Sequence, residues 1–191
     1  MGFDLYGMNP IINKPKPNML IKHKWNEVPQ EKQKAYWDAQ DEDRLNNPGQ
    51  YFRSNVWYWR PIWKFVCEVC NDVLTEEDYK GGHTNSGYII SKTKAAIIAS
   101  RLYSLNQNGE IKAYEEAYDK SLKRMELEEC NICDGSGKRK KPPKIGAGKI
   151  ECNGCNGKGK RKQWNTHYPF SVKFTMEFAK FCDESGGFEI C

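Results

Sequence analysis

Apolar residues recur three or four apart in five stretches of the chain, the spacing that places them on one face of a helix. The first, weakly patterned, covers Gln30–Arg44 and carries Tyr36 and Trp37. A second begins at Pro61 or Ile62 and runs to about Val73, with Trp63, Val66, Cys67, Cys70 and Leu74 on its apolar side. Ser91 is a good N-cap for a third, whose stripe is Ile97, Ile98, Leu102 and Leu105 before Asn108-Gly109 closes it. Glu110–Glu129 repeats the pattern with Ile111, Tyr114, Tyr118, Leu122 and Met125, and predicts an antiparallel helical hairpin with its predecessor. Pro169-Phe170-Ser171 introduces the last helix, which buries Phe174, Phe178, Phe181 and Cys182 and stops at Gly186-Gly187. Period-two alternation occurs at the two ends, in residues 2–7 and 188–191, and predicts a short sheet pairing residues 3–6 with the terminal strand. Residues 8–50 are otherwise rich in Lys, Asn, Pro and Gln, a weakly specified arm.

Between the last two helices the periodicity breaks. Residues 130–137 read Cys-Asn-Ile-Cys-Asp-Gly-Ser-Gly, and residues 152–159 read Cys-Asn-Gly-Cys-Asn-Gly-Lys-Gly. Two CxxC pairs at this separation fit a structural zinc site with Cys130, Cys133, Cys152 and Cys155 as ligands. Four thiolates close a tetrahedral shell and leave no position for substrate or activated water. Glycines two and four residues after each second cysteine suit a tight turn whose amides point back at the sulfurs. Free or disulfide-bonded cysteines are the alternative. The fold class is therefore α+β: a mostly helical domain, residues 1–129 plus 163–191, with a short terminal sheet and an inserted zinc-binding β-hairpin at 130–162.

The doubled CxxCxGxG unit resembles the cysteine-rich zinc-binding domain of DnaJ-type co-chaperones over residues 130–159. Those proteins carry four such units, and this chain has two. It also lacks the His-Pro-Asp signature of a J domain, so recruitment of an Hsp70-type ATPase is not implied. The resemblance implies a zinc-pinned hairpin and Zn2+ as cofactor.

Charge changes the picture of that hairpin. The chain has 30 Lys or Arg and 25 Asp or Glu, a net +5, yet residues 130–162 alone hold ten basic residues against Asp134 and Glu151. Lys138, Arg139, Lys140 and Lys141 follow the first knuckle, and Lys158, Lys160, Arg161 and Lys162 follow the second. Together they form either a footprint for phosphates or an acidic partner, or a solvated loop that keeps a small module soluble.

Aromatic residues are 13% of the sequence, and six of them fall with two arginines in residues 51–63. They fill a core or, with Arg53, Asn55, Trp57, Trp59 and Arg60, line a pocket. His83 sits in a glycine-rich loop at 80–87 that could contribute to such a pocket, but GxxxxGK[ST] is absent and nucleotide hydrolysis is unsupported. Cys67 and Cys70 form a third CxxC with three readings: small buried residues, a second metal site, or a redox pair.

No catalytic motif is legible, and the reading leans away from an enzyme. No apolar run approaches eighteen residues, and the first residues have no charged n-region or apolar h-region, so a soluble, cytoplasmic protein without membrane partners is expected. Over nearly its whole length the chain resembles small uncharacterised bacteriophage proteins. The shared blocks are Met1-Gly-Phe-Asp-Leu-Tyr-Gly7, Tyr51-Phe-Arg53 with Asn55-Val-Trp57 and Trp59-Arg60-Pro61, and Tyr168-Pro-Phe-Ser171 with Ser185-Gly-Gly-Phe-Glu-Ile190. That resemblance implies action in an infected host cytoplasm and brings no activity with it. Two functions are expected from these features: a non-enzymatic zinc protein binding a host or phage macromolecule, protein or nucleic acid, through the basic hairpin; or a binder of a nucleotide-like signal between segments 51–60 and 81–87.

Overall fold

A computed structural model describes residues 2–15, 25–139 and 150–191. Over these the chain is α+β and divides into two compact units, Met1–Glu115 with Phe170–Cys191, and Glu116–Pro169. The first unit runs β1 (Gly2–Gly7), α1 (Gln30–Asn46), β2 (Tyr51–Asn55), α2 (Val56–Val69), α3 (Glu76–Gly81), β3 (Tyr88–Ile90) and α4 (Lys92–Gln107). Helix α5 (Glu110–Arg124) leads into the second unit, which adds β4 (Glu128–Glu129) and β5 (Lys160–Arg161). The chain then returns to the first through α6 (Val172–Glu184) and β6 (Phe188–Ile190).

The expected pairing of the two ends is present: β1 lies antiparallel to β6, with Leu5 opposite Ile190. The sheet is wider than the sequence suggests, however, with order β2-β1-β6-β3 and every neighbouring pair antiparallel. Alternation sends Phe3 and Leu5, Phe52 and Ser54, and Phe188 and Ile190 inward, where all six are buried. Strand β2 is hidden in the sequence because one of its two inward positions is the polar Ser54, and β3 because it has three residues.

Helix α2 starts five residues before Pro61, not at it. The Asn55 side chain accepts hydrogen bonds from the Trp57 and Tyr58 amides at 3.0 and 3.1 Å, an N-cap strong enough to begin the helix with a proline inside it. Trp57 and Arg60 are therefore helical residues of the first two turns. The periodic stretch after Gly109 ends as a helix at Arg124, and Glu128–Glu129 is strand. Helix α4 packs chiefly on α6, where an α4–α5 hairpin was expected, because α6 carries the larger apolar face: Phe178, Ala179, Phe181 and Cys182 are all buried.

The core of this unit is aromatic. Trp59 and Trp63 stack at 5.4 Å with planes 15° apart, and Phe178 meets Trp59 edge-on at 5.3 Å. Asp78, buried on α3, caps the helix through Thr75 and accepts both Lys94 contacts at 2.8 and 2.6 Å. Burial alone would raise its carboxyl, but the bonds from Lys94 and Thr75 outweigh it and hold the group below the ordinary carboxylate value.

Candidate metal centre

Each knuckle is a tight turn built on the same bonds. The Cys133 amide donates to the Cys130 carbonyl at 3.2 Å and the Gly135 amide to the same oxygen at 3.3 Å; in the second half, Cys155 and Gly157 donate to the Cys152 carbonyl at 3.4 and 3.1 Å. Closing so small a loop requires consecutive residues of positive φ. Asp134 and Gly135 (49° and 75°) supply them in one half, Asn156 and Gly157 (50° and 77°) in the other. Asp and Asn tolerate that region better than other side chains, which accounts for both positions.

The fourth residue beyond each second cysteine completes the turn. The Gly137 amide points at Cys133 Sγ at 3.3 Å and the Gly159 amide at Cys155 Sγ at 3.2 Å, the amide-to-sulfur contacts expected from the sequence. The halves then close on each other: the Cys130 amide donates to the Gly159 carbonyl at 2.8 Å and the Cys152 amide to the Gly137 carbonyl at 2.9 Å. A Cβ on Gly137 would lie 2.3 Å from the Gly157 carbonyl oxygen, and one on Gly159 2.1 Å from that of Gly135. This mutual support is absent from the sequence reading. Its signal is the identical 22-residue offset between corresponding cysteines.

The four sulfurs are all buried and lie within 4.8 Å of one another. Cys130 and Cys152 are separated by 3.8 Å, Cys133 and Cys155 by 3.7 Å. A tetrahedron with metal–sulfur bonds of about 2.3 Å has edges of about 3.8 Å, so the donor set fits a tetrahedral thiolate-preferring ion. Burial resists ionisation of Cys152, but the Gly154 amide and the three neighbouring thiols outweigh it and lower its pKa to about 7. Cys133 moves the other way, to about 11, chiefly through burial. A bound cation would displace all four protons.

Strands β4 and β5 flank the cysteine segments in sequence and pair with Glu128 opposite Arg161 and Glu129 opposite Lys160, and an isolated bridge joins Lys138 to Glu151. Several cations of the basic runs thus face carboxylates: Arg161 Nε bonds Glu128 at 2.9 Å, and Lys138 and Lys160 stand across from acids. Arg139 donates to Asn153. Lys158 and Lys162 are exposed, and Lys140 and Lys141 lie outside the described residues.

The aromatic and glycine-rich segments do meet. The Trp59 indole, fully buried, donates to the Gly82 carbonyl at 2.6 Å, and that of Trp63 to the Tyr79 carbonyl at 3.1 Å. A Cβ on Gly82 would lie 2.0 Å from the Trp63 ring, so the bare backbone at this position admits Trp63. His83 packs edge-on against Tyr79 at 4.7 Å, and its pKa is lowered by burial and by the charge of Arg60. Asn55 is the α2 cap, Trp57 is half-buried, and Arg53 is an exposed β2 residue 3.6 Å from Asp4.

Cys70 is buried at the end of α2, while Cys67 is half-exposed in a cleft beside Lys64, Leu74 and Tyr79. Burial pushes the Cys67 thiol up to about 12, helped by Cys70, and the Cys70 thiol up to about 11 despite Arg101. At Cys70 burial outweighs the Arg101 guanidinium, and no cation lowers Cys67, so neither thiol is activated as a thiolate. Among the described residues, no third ligand joins them to make a metal group. At pH 7.5 iodoacetamide is expected to label Cys67 at least roughly tenfold more slowly than a cysteine in the urea-unfolded chain, read by peptide mass mapping. Equal rates would contradict the burial.

Fold and centre together define an α+β protein with a closed four-cysteine cluster. Neither a known family model, nor a curated protein, nor a solved structure matches the chain. Among the described residues no helix is long and apolar enough to cross a membrane.

Proposed function

We propose that the chain is a non-enzymatic zinc protein, phage-encoded and acting in the host cytoplasm, whose metal-pinned hairpin binds an acidic macromolecule of host or phage. The observation that carries it is the cysteine tetrahedron. Four sulfurs within 4.8 Å of one another, two pairs of them at 3.8 and 3.7 Å, would fill a tetrahedral shell, so a bound ion organises a surface and does not activate a substrate. The surface it organises is basic: Lys158 and Lys162 are exposed beside the second knuckle, and Leu127 and Trp164, 55% and 56% exposed, supply apolar contact area. DnaJ-type and phage affiliations rest on the sequence resemblances alone.

Two measurements test this reading. Mass spectrometry of the purified protein is expected to find one zinc per chain. Fluorescence anisotropy is expected to detect salt-sensitive binding of a polyanion, either a 20-base-pair DNA duplex or an acidic protein. Neutralising Lys138–Lys141 and Lys158, Lys160, Arg161 and Lys162 with glutamine should abolish that binding with zinc content unchanged. Undiminished binding by this variant would sink the proposal, and a preference for duplex or acidic protein assigns the partner class.

A further inference from the structure

On the first unit a cleft of about 320 Å³ opens between the end of α1, β2 and the outward side of α6. Three cations line it, Arg44 from α1, Arg53 from β2 and Lys180 from α6, against one carboxylate, Glu177. The concentration is local. Residues 116–169 hold thirteen Lys or Arg and seven Asp or Glu, a formal +6 in a chain of +5, which leaves −1 for the unit that carries the cleft. None of the three was placed there by local sequence; Arg44 and Arg53 are nine residues apart and Lys180 lies at the far end of the chain.

Rings form the walls between these charges. The Tyr51 hydroxyl is bound to Asp4, which fixes its ring, and the Arg44 guanidinium lies 5.4 Å above that ring. Phe174 is held by Phe52 at 5.0 Å, and Leu45 stands 76% exposed at the rim. The ion pairs now made by the arginines are exposed and long: Arg53 to Asp4 at 3.6 Å and Arg44 to Asp41 at 3.3 Å. Such pairs contribute little, whereas a phosphate accepts paired, charge-assisted hydrogen bonds from guanidinium groups. The volume lies at the lower end of the roughly 300–1,000 Å³ typical of small-molecule sites.

We propose that this cleft binds a phosphorylated ligand carrying a planar ring, of the mononucleotide class. Arg44, Arg53 and Lys180 hold the phosphate, and the ring lies against Tyr51, Phe174 and Leu45. His83, Trp57, Trp59 and Arg60 take no part, and the cysteine centre is not involved.

Calorimetric titration of the zinc-loaded protein with AMP, GMP, adenosine and inorganic phosphate tests the assignment. Expected is saturable binding of AMP or GMP, weakened at least roughly tenfold when either the phosphate or the ring is missing. Arg53→Gln with Lys180→Gln, both at exposed positions, should weaken nucleotide binding at least roughly tenfold while the melting temperature stays within about 2 °C of the parent. Absence of binding by the folded parent at about 1 mM of either nucleotide would overturn the proposal. So would equal affinity for AMP and bare phosphate, undiminished binding by the double variant, or binding of a hexaglutamate peptide without binding of either nucleotide.

Discussion

Stripping the metal is expected to unfold residues 126–139 and 150–163 while β1, α2 and α6 stay folded. Among the described residues of Glu116–Pro169, the only buried side chains are Cys130, Cys133, Cys152 and Cys155, beside the two glycines that close the knuckles. Such a unit has no apolar core to fall back on, and structural zinc supplies about 10–16 kcal/mol of binding energy to small metal modules. Four uncompensated thiols offer none of this. Hydrogen exchange read by mass spectrometry, before and after a zinc chelator with reductant, should show protection lost in those two segments and kept in residues 57–66 and 174–182. Retained protection in the knuckles after metal loss would show that backbone bonding alone holds them. Protons compete with the ion for the same four sulfurs, so the apparent affinity should fall as pH drops.

Replacing Trp59 with alanine is expected to destabilise the first unit by about 3–5 kcal/mol, a large share of the roughly 5–15 kcal/mol typical of a domain. Trp59 has no exposed surface, stacks on Trp63, meets Phe178 edge-on and touches Phe3 at 5.6 Å. Its indole also satisfies the buried Gly82 carbonyl. Trp59→Phe keeps most of the packing and removes the donor, so it should cost about 1–3 kcal/mol. Denaturant titration of both variants, with zinc content as a control, separates the terms. A loss under about 1 kcal/mol for the alanine variant would contradict the packing described here.

What could be read from the chain follows from how far apart the cooperating residues lie. The four-cysteine cluster was legible, because each knuckle is eight contiguous residues and its glycines state their own backbone requirement; the bonds that tie the two halves together were not. The paired termini were legible too, since alternation survives in both strands. Helix α2 was misplaced at its start because Pro61 reads as a first-turn residue, while Asn55, six positions earlier, carries the cap. The basic runs looked unopposed in sequence; only the strand register sets Glu128, Glu129 and Glu151 across from Arg161, Lys160 and Lys138. Of the cleft's three cations only Arg53 was singled out in the sequence, and with the wrong neighbours, because three separate elements contribute one cation each.

The reciprocal bonds between the knuckles have a further meaning. Each half donates the amide of its first cysteine to the last glycine of the other, so the centre is an internal dimer with approximate twofold symmetry. An eight-residue unit that offers two sulfurs and an unfilled amide cannot close alone; copied once along the chain, it closes on its twin. Exchanging residues 130–137 for 152–159 should then leave a working site, and damage to one copy should disable both.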